Sequence, residues 1–455
     1  MRWCPFTFHT VNIYYGLLMN IARLLLCHSF AVVVAVTLAD SHSVWAEPAS
    51  GDAEGFASIF NGRDLAGWDG DPRFWSAADG VIRGQTTGTN RADHNTFLVW
   101  RGGQLKDFEL KIQFRIEGDN NSGIQYRSRE FEKWRIAGYQ AEIINKPDVV
   151  GFLWNEQGKR KGVQVGQFVV YHPENDREVV GQIADRKALR ESGHYRPGEW
   201  NQCHIIARGN HVIHRINGRQ TVEFIDEDPE KAAREGLLAL QVHGGKPLLV
   251  EFKDIRLKRL TNSFGDARVL FDGHSLDKWK VVPDEACESW STVDGAIVTL
   301  GKPRGYLRTM EPVTDYVLRL QLKHFEPTNT GVLLRVQQPD RVWPKCMEAQ
   351  GWNGTVGDIF GIGWKFDADI DRRYGDGGLD PTGRHVKTMH ESNEGPLGSW
   401  IEYEIVNHGS DLELFVNGLL QNKAWNVEER PGTIALQAEG GKVAFRNLVL
   451  IPIGK

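Results

Sequence analysis

Two short segments carry side chains that can move protons, and they are built alike. Gln140-Ala-Glu142 follows Gly123-x-x-x-Arg127, and Glu348-Ala-Gln350 follows Gly331-x-x-x-Arg335 at the same spacing. Each segment offers one carboxylate and one amide two residues apart, with their order exchanged. On a β-strand, positions i and i+2 project from the same face. Acid and amide should therefore stand side by side, near Arg127 or Arg335. A carboxylate so placed can act as a general base or acid, and an Arg can present its fixed fork of donors to a developing oxyanion. The bland alternative is a solvent-facing Arg–Glu pair, which contributes little. A second pair of segments, Gln241-Val-His-Gly-Gly245 and Gln437-Ala-Glu-Gly-Gly441, sets His243 opposite Glu439, and both types carry protons. A third set is not duplicated: Trp154-Asn-Glu-Gln-Gly-Lys-Arg160 on one side, and Trp343-Pro-Lys345 with Asp358 on the other. An indole can stack on the apolar face of a sugar, and the charged groups can bind its hydroxyls.

The elements that must position these residues occur twice. Phe60-Asn-Gly-Arg-Asp-Leu-Ala-Gly-Trp68 returns as Phe271-Asp-Gly-His-Ser-Leu-Asp-Lys-Trp279, and Trp75-Ser-Ala-Ala-Asp-Gly80 as Trp290-Ser-Thr-Val-Asp-Gly295. Asn121-Ser-Gly-Ile124 returns as Asn329-Thr-Gly-Val332, Ile216-Asn-Gly218 as Val416-Asn-Gly418, and Leu238-Ala-Leu-Gln241 as Ile434-Ala-Leu-Gln437. The blocks keep their order. A displacement of about 200 residues is far too long for a solenoid or propeller unit, so two copies of one domain are expected. Their bounds are 54–260 and 264–453. Each copy holds the full set of blocks and is expected to fold by itself.

Strand signals dominate both copies. Phe108-Glu-Leu-Lys-Ile-Gln-Phe-Arg-Ile116 and Tyr316-Val-Leu-Arg-Leu-Gln-Leu322 alternate with period two, the pattern of half-buried antiparallel strands. Asn217-Gly218 and Asn417-Gly418 predict type I′ hairpin turns. Long amphipathic helices are absent, with one or two helical turns expected at Pro229 to Arg234. The fold class is all-β, two tandem jelly-roll β-sandwiches. The 49 Gly and 15 Trp suit turn-rich β-structure and also sugar-binding surfaces. A net charge of −5 gives no electrostatic case for nucleic acid. No Gly-x-Ser-x-Gly, P-loop, His-Glu-x-x-His or paired-Cys motif is present, so neither a cofactor nor a metal is expected. Cys203, Cys287 and Cys346 form no disulfide framework and are expected to be small buried side chains.

At the N-terminus, Arg23 precedes the largely apolar run Leu24 to Leu38, and Val44-Trp45-Ala46 offers a cleavage point. Residues 1–46 are expected to be a signal peptide, with Met1 or Met19 as the start. An uncleaved anchor is the alternative. A cleaved protein would be periplasmic or extracellular, without further attachment to the membrane.

Taken together, these motifs resemble the 3-keto-disaccharide hydrolase domain family. In the first copy the resemblance rests on Phe60 to Trp68, Asn95-Thr-Phe-Leu98, Asn121 to Ile124 and Gly138-Tyr-Gln-Ala141; in the second, on Gly305-Tyr-Leu-Arg308, Val342-Trp-Pro-Lys345, Glu348-Ala-Gln350 and Leu436-Gln-Ala-Glu-Gly440. The resemblance implies concanavalin A-like jelly rolls acting on glycosides oxidised at C3. A C3 keto group acidifies the C2 proton, so a base can remove it and expel the C1 oxygen, after which water can add. One base, one enolate stabiliser and one acid suffice, whereas ordinary glycosidases need two flanking carboxylates. In these terms Glu142 or Glu348 is the base, Arg127 or Arg335 the stabiliser, and His243 or Glu439 the acid. Gln140, Trp154, Gln350, Trp343, Lys345 and Asp358 are the substrate-binding candidates. Copy one departs from the Glu-x-Gln order, which leaves open whether both copies act. Two other readings remain: one or both copies bind carbohydrate without catalysis, or the protein is an ordinary glycosidase.

Overall fold

The computed structural model describes residues 52–173 and 177–454. The expected signal peptide lies outside the described residues. Two β-sandwiches follow one another along the chain. The first pairs a ten-stranded sheet with a six-stranded one, and the second pairs two nine-stranded sheets. Period-two patterning explains the layering. In the strand Phe108–Glu117, Phe108, Leu110, Ile112, Phe114 and Ile116 point between the sheets while the alternate polar residues point away. The hairpin turns form as their sequences require: Asn217 and Asn417 both have φ 48°, and Gly218 and Gly418 both have φ 80°, as a type I′ turn demands. The α-helix found among the described residues is Arg186–Glu191, capped by Asp185; Pro229 to Lys231 form only a turn. Cys203 and Cys346 are buried, but Cys287 is exposed. It lies on a short 3-10 turn, Asp284–Ser289, that turns Ala286 and Ser289 inward instead.

The sheet that carries the candidate site has the same plan in both copies. In the first it runs Trp68–Asp69, Thr96–Trp100, Leu237–Val242, Asn121–Glu132, Arg135–Ile144, Leu153–Glu156. In the second it runs Trp279–Val282, Gly305–Thr309, Thr433–Ala438, Gly331–Val336, Cys346–Gln350, Ile359–Ile362, and then continues. Three short strands, His385–Val386, Arg373–Gly375 and Gly378–Leu379, extend it beyond the point where the first copy stops.

The opposite sheets of the two sandwiches pack on each other. Phe168, Val170 and Ile225 of the first meet Val317, Val449 and Ile451 of the second in one buried apolar cluster. Beside it lie buried ion pairs: Arg319 to Glu223 at 3.1 Å, Arg208 to Glu404 at 2.9 Å, and Arg215 to Glu402 at 2.6 Å. This corrects the expectation of a half-buried strand at Tyr316 to Leu322, which the structure extends to Tyr316–His324. Its polar residues Arg319 and Gln321 are buried because they face the other sandwich rather than water. The copies are thus not independent units of packing. No helix among the described residues is long and apolar enough to cross a membrane.

Candidate active site

Glu348 projects from the strand Cys346–Gln350, whose neighbours Met347 and Ala349 point into the core. The carboxylate therefore lies on the outer face of the sheet, yet the residue is only 5% exposed. A Cβ on Gly331 would fall 2.4 Å from Glu348 Oε1, so the missing side chain on the adjacent strand makes the space the carboxylate occupies. Oε1 is buried and has no hydrogen-bond partner. Gln437 is on the next strand and is also buried, with both amide atoms unpartnered. Its neighbour Glu439 is half-buried and accepts from Asn329 Nδ2 at 2.8 Å. Buried polar atoms are normally satisfied, so unpaired atoms clustered on one face mark a place for a ligand or ordered water.

The electrostatics join the two carboxyls. Burial pushes Glu348 up to about 8; the charge of Glu439 adds to this, and that of Arg384 opposes it. Burial also raises Glu439, against the pull of Arg304. The charge of Glu439 therefore bears on the proton of Glu348.

Across the sheet, Glu348 pairs with Phe360, and Phe360 with His385. The imidazole lies flat on the Phe360 ring, with centroids 4.1 Å apart and planes 7° from parallel. Its Nε2 is 2.7 Å from Asp358 Oδ2, and the other Asp358 oxygen accepts from the Thr388 backbone at 2.8 Å.

The first copy uses the same frame differently. Gln140 occupies the place of Glu348, leaning over Gly123 as Glu348 leans over Gly331. Its amide donates to Glu142 Oε2 at 2.6 Å and accepts from Gln125 at 2.8 Å. Asn121 also bonds Glu142. Burial raises Glu142 to about 7; the bonds from Gln140 and Asn121 oppose this, and the charge of Glu156 adds to it. Glu156 accepts from Asn95 and from the Trp154 indole, which is 45% exposed. Trp154 pairs with Gln140 as Phe360 pairs with Glu348, so the two aromatics hold matching positions.

Both arginines lie elsewhere than the sequence reading placed them. A β-bulge interrupts each strand at Arg127 and Arg335, which adopt φ 47° and 53°. The extra residue breaks the period-two alternation and turns the side chain toward the opposite sheet. Arg127 bonds the carbonyls of Lys106 and Gly209 and the Asp107 carboxylate. Arg335 bonds the carbonyls of Gly409 and Glu428 and the Asn407 side chain. Their donors tie the two sheets together and are not offered to a ligand beside Glu142 or Glu348.

The other candidates are also dispersed. His243 bonds the Gly244 carbonyl, and its chain reaches Glu156 only through the contact of Gly244 with Asn95. Gln350 closes a turn by accepting from the Gly351 and Trp352 amides. Lys345 points to Glu428 and lies over the Trp364 ring, while Trp343 is exposed in the loop before the Glu348 strand. Asp358 is committed to His385. The residues that sequence reasoning missed are Glu156, Gln437 in its unpartnered state, Arg384 and His385. Glu156 had a signal, two positions beyond Trp154 on one strand. His385 had none, because the strand that carries it has no counterpart in the first copy. A cleft of about 730 Å³ opens between the sandwiches around Trp279, Met310 and Arg268, but none of the paired carboxylates lines it.

Each copy is a two-sheet sandwich with a buried carboxyl on the outer face of one sheet, Glu142 in the first and Glu348 in the second. Residues 55–258 and again 266–451 match the model of the 3-keto-alpha-glucoside-1,2-lyase-like domain, and the chain belongs to that family. A curated relative from Bacteroides thetaiotaomicron, named 3-keto-disaccharide hydrolase, is 22% identical over 195 residues, or 38% of this chain. The matched part spans 59% of that relative's length. Among solved structures, carbohydrate binding module CBM66 from Bacillus subtilis is 16% identical, with 42% of this chain and 95% of that one covered and a TM-score of 0.29. Bacillus licheniformis β-glucanase is 12% identical, with 42% and 99% covered and a TM-score of 0.30.

Proposed function

We propose that this protein is a secreted carbohydrate-active enzyme that cleaves glycosides oxidised at C3, and that catalysis belongs to the second sandwich. The observation that carries this reading is Glu348, a buried carboxyl with an unpartnered oxygen, coupled to Glu439. The family and the name of the curated relative support the substrate class. Glu348 in its ionised form takes the C2 proton. The C–H electron pair passes into the C2–C3 bond and the C3 oxygen becomes an enolate. Its collapse expels the C1 oxygen, which takes a proton from Glu439, leaving an enone and a free alcohol. Water adding across the enone would complete a hydrolysis. Burial favours the shared proton on Glu348 in the empty site. A C2–H set against Glu348 and a departing oxygen set against Glu439 favour the reverse.

The first sandwich has Gln140 where this chemistry needs a base, and its Glu142 is already hydrogen-bonded on both oxygens. The test compares a 3-keto-disaccharide with its unoxidised parent, using purified protein in D₂O. Cleavage of the keto sugar alone, with deuterium entering C2, is the expected result. Equal cleavage of the parent sugar would refute the keto requirement.

A further inference from the structure

The two copies also differ on the sheets that lie opposite the candidate site. In the first copy Arg115 and Lys253 both lie over the Trp200 ring, 5.1 Å and 4.1 Å from its centroid. Glu251 meets their charge from the neighbouring strand, directly opposite Arg115. Its carboxylate accepts from Arg115 Nε at 2.9 Å and pairs with Arg83 at 2.8 Å. The second copy keeps the cations and drops the carboxylate. Val250-Glu-Phe-Lys253 becomes Val443-Ala-Phe-Arg446, so Ala444 stands opposite Lys323 where Glu251 stands opposite Arg115. Val298 takes the place of Arg83. The Arg446 guanidinium and Lys323 Nζ still lie over an indole, 3.9 Å and 4.4 Å from the Trp400 ring. Lys442, in the place of Leu249, adds a third cation; its Nζ is 4.6 Å from the Phe325 ring, which Lys323 also approaches at 4.9 Å.

We propose that Lys323, Lys442 and Arg446 form a binding site for an anionic group, the carboxylate or sulfate of an acidic saccharide, on the sheet opposite Glu348. None of the three makes an ion pair among the described residues. Burial and the charges of Arg446 and Lys442 lower the pKa of Lys323, against the pull of Asp294, and burial pushes Arg446 down to about 10. An anion held between them would remove that penalty, because an opposite charge favours the ionised form. Arg446 is already oriented: Nε donates to Gln321 at 2.7 Å and Nη2 to the Ile183 carbonyl at 3.0 Å, which leaves Nη1 to donate outward. A cleft of about 380 Å³ reaches the guanidinium and is lined by Arg446, Trp400 and Arg219. The carboxylates nearby are engaged. Glu402 pairs with Arg215, Asp185 caps its helix, and Glu326 accepts from the Lys442 backbone amide. The whole chain carries a net charge of −5, so attraction of a polyanion has to come from such a local cluster. That the anion is carried on a saccharide rests on the carbohydrate-active reading; the anion site itself does not.

The test is affinity electrophoresis through gels holding polygalacturonate, dextran sulfate or unmodified dextran. One variant combines Lys323→Gln with Lys442→Gln, which breaks no ion pair. The other, Ala444→Glu, restores the carboxylate of the first copy. Losing one charge-assisted contact costs on the order of tenfold in affinity. Wild type should be retarded by a charged polymer and not by dextran, and the polymer that retards it tells carboxylate from sulfate. Both variants should lose about tenfold or more of that affinity, while the lysine variant keeps the wild-type melting temperature and wild-type turnover of a 3-keto-disaccharide. Passage of wild type through both charged polymers as through dextran would overturn the proposal, and so would equal retardation of wild type and the lysine variant. A wild type that fails to cleave the keto sugar, yet is retarded in a way that depends on the lysines, would overturn the reaction and leave this site standing.

Discussion

Glu348→Gln should abolish turnover and stabilise the protein at the same time. The substitution keeps the shape of the side chain and removes its charge. Losing a general base costs about 10²–10⁴-fold in rate. The stability effect follows from burial. The unfolded chain ionises this group near 4.5, while the folded chain keeps the proton to about 8. Between those values the native state binds one more proton than the unfolded state. Wild-type stability therefore falls as pH rises, by about 1.4 kcal/mol per pH unit from this one group. The Gln variant has no such slope. Between about pH 5 and about pH 7.5 it should gain on the order of 3 kcal/mol relative to wild type. Urea unfolding of both proteins at the two pH values measures this, alongside turnover of a 3-keto-disaccharide. A stability difference that stays constant with pH would mean that the carboxyl titrates as if solvated. Wild-type turnover by the variant would remove Glu348 from the chemistry.

Five further outcomes are expected. Glu142→Gln should leave turnover close to wild type, and a loss as large as that of Glu348→Gln would place the base in the first sandwich. Wild-type activity should fall on the alkaline side near pH 8, where the coupled carboxyls lose their last proton; Glu439→Gln should lower activity and, by removing a neighbouring charge, lower the pKa of Glu348, read from a pH–rate profile or by titration. Arg319→Ala should cost about 3–5 kcal/mol in unfolding experiments, because it removes the arginine that pairs with the buried Glu223 and with Glu404; an effect below about 1 kcal/mol would show the interface to be open to water. N-terminal sequencing of protein from its native host should begin near Glu47, and recovery of residues 1–46 on a membrane-bound product would refute secretion.

What could be read from the sequence was what depends on local periodicity. The sandwiches follow from period-two strands, the hairpins from Asn-Gly pairs, and the acid–amide pairs from i, i+2 geometry. Each of these rules fails where one extra residue or one long-range contact intervenes. At Arg127 and Arg335 the spacing from the glycine was right and the face was wrong, because the bulges invert the alternation. Arg319 and Gln321 looked solvated because nothing in their own strand encodes the second sandwich. His385 lies on an inserted strand that pairs with the Phe360 strand, and nothing local in the sequence encodes that pairing. The duplication gives the copies one frame that carries different side chains. Exchanging Gln-x-Glu for Glu-x-Gln moves the carboxyl two residues along its strand, about 7 Å. Glu142 thus stands where Gln350 stands, beside Asn121 and a committed amide, whereas Glu348 stands over Gly331 beside an unpartnered Gln437. A shift of that size is longer than a hydrogen bond and comparable to a sugar ring. With respect to a common set of neighbours, only one of the two positions can meet the same substrate atom. On the proposed chemistry, the copy with the free oxygen and the flanking acid is the one in which that atom can react.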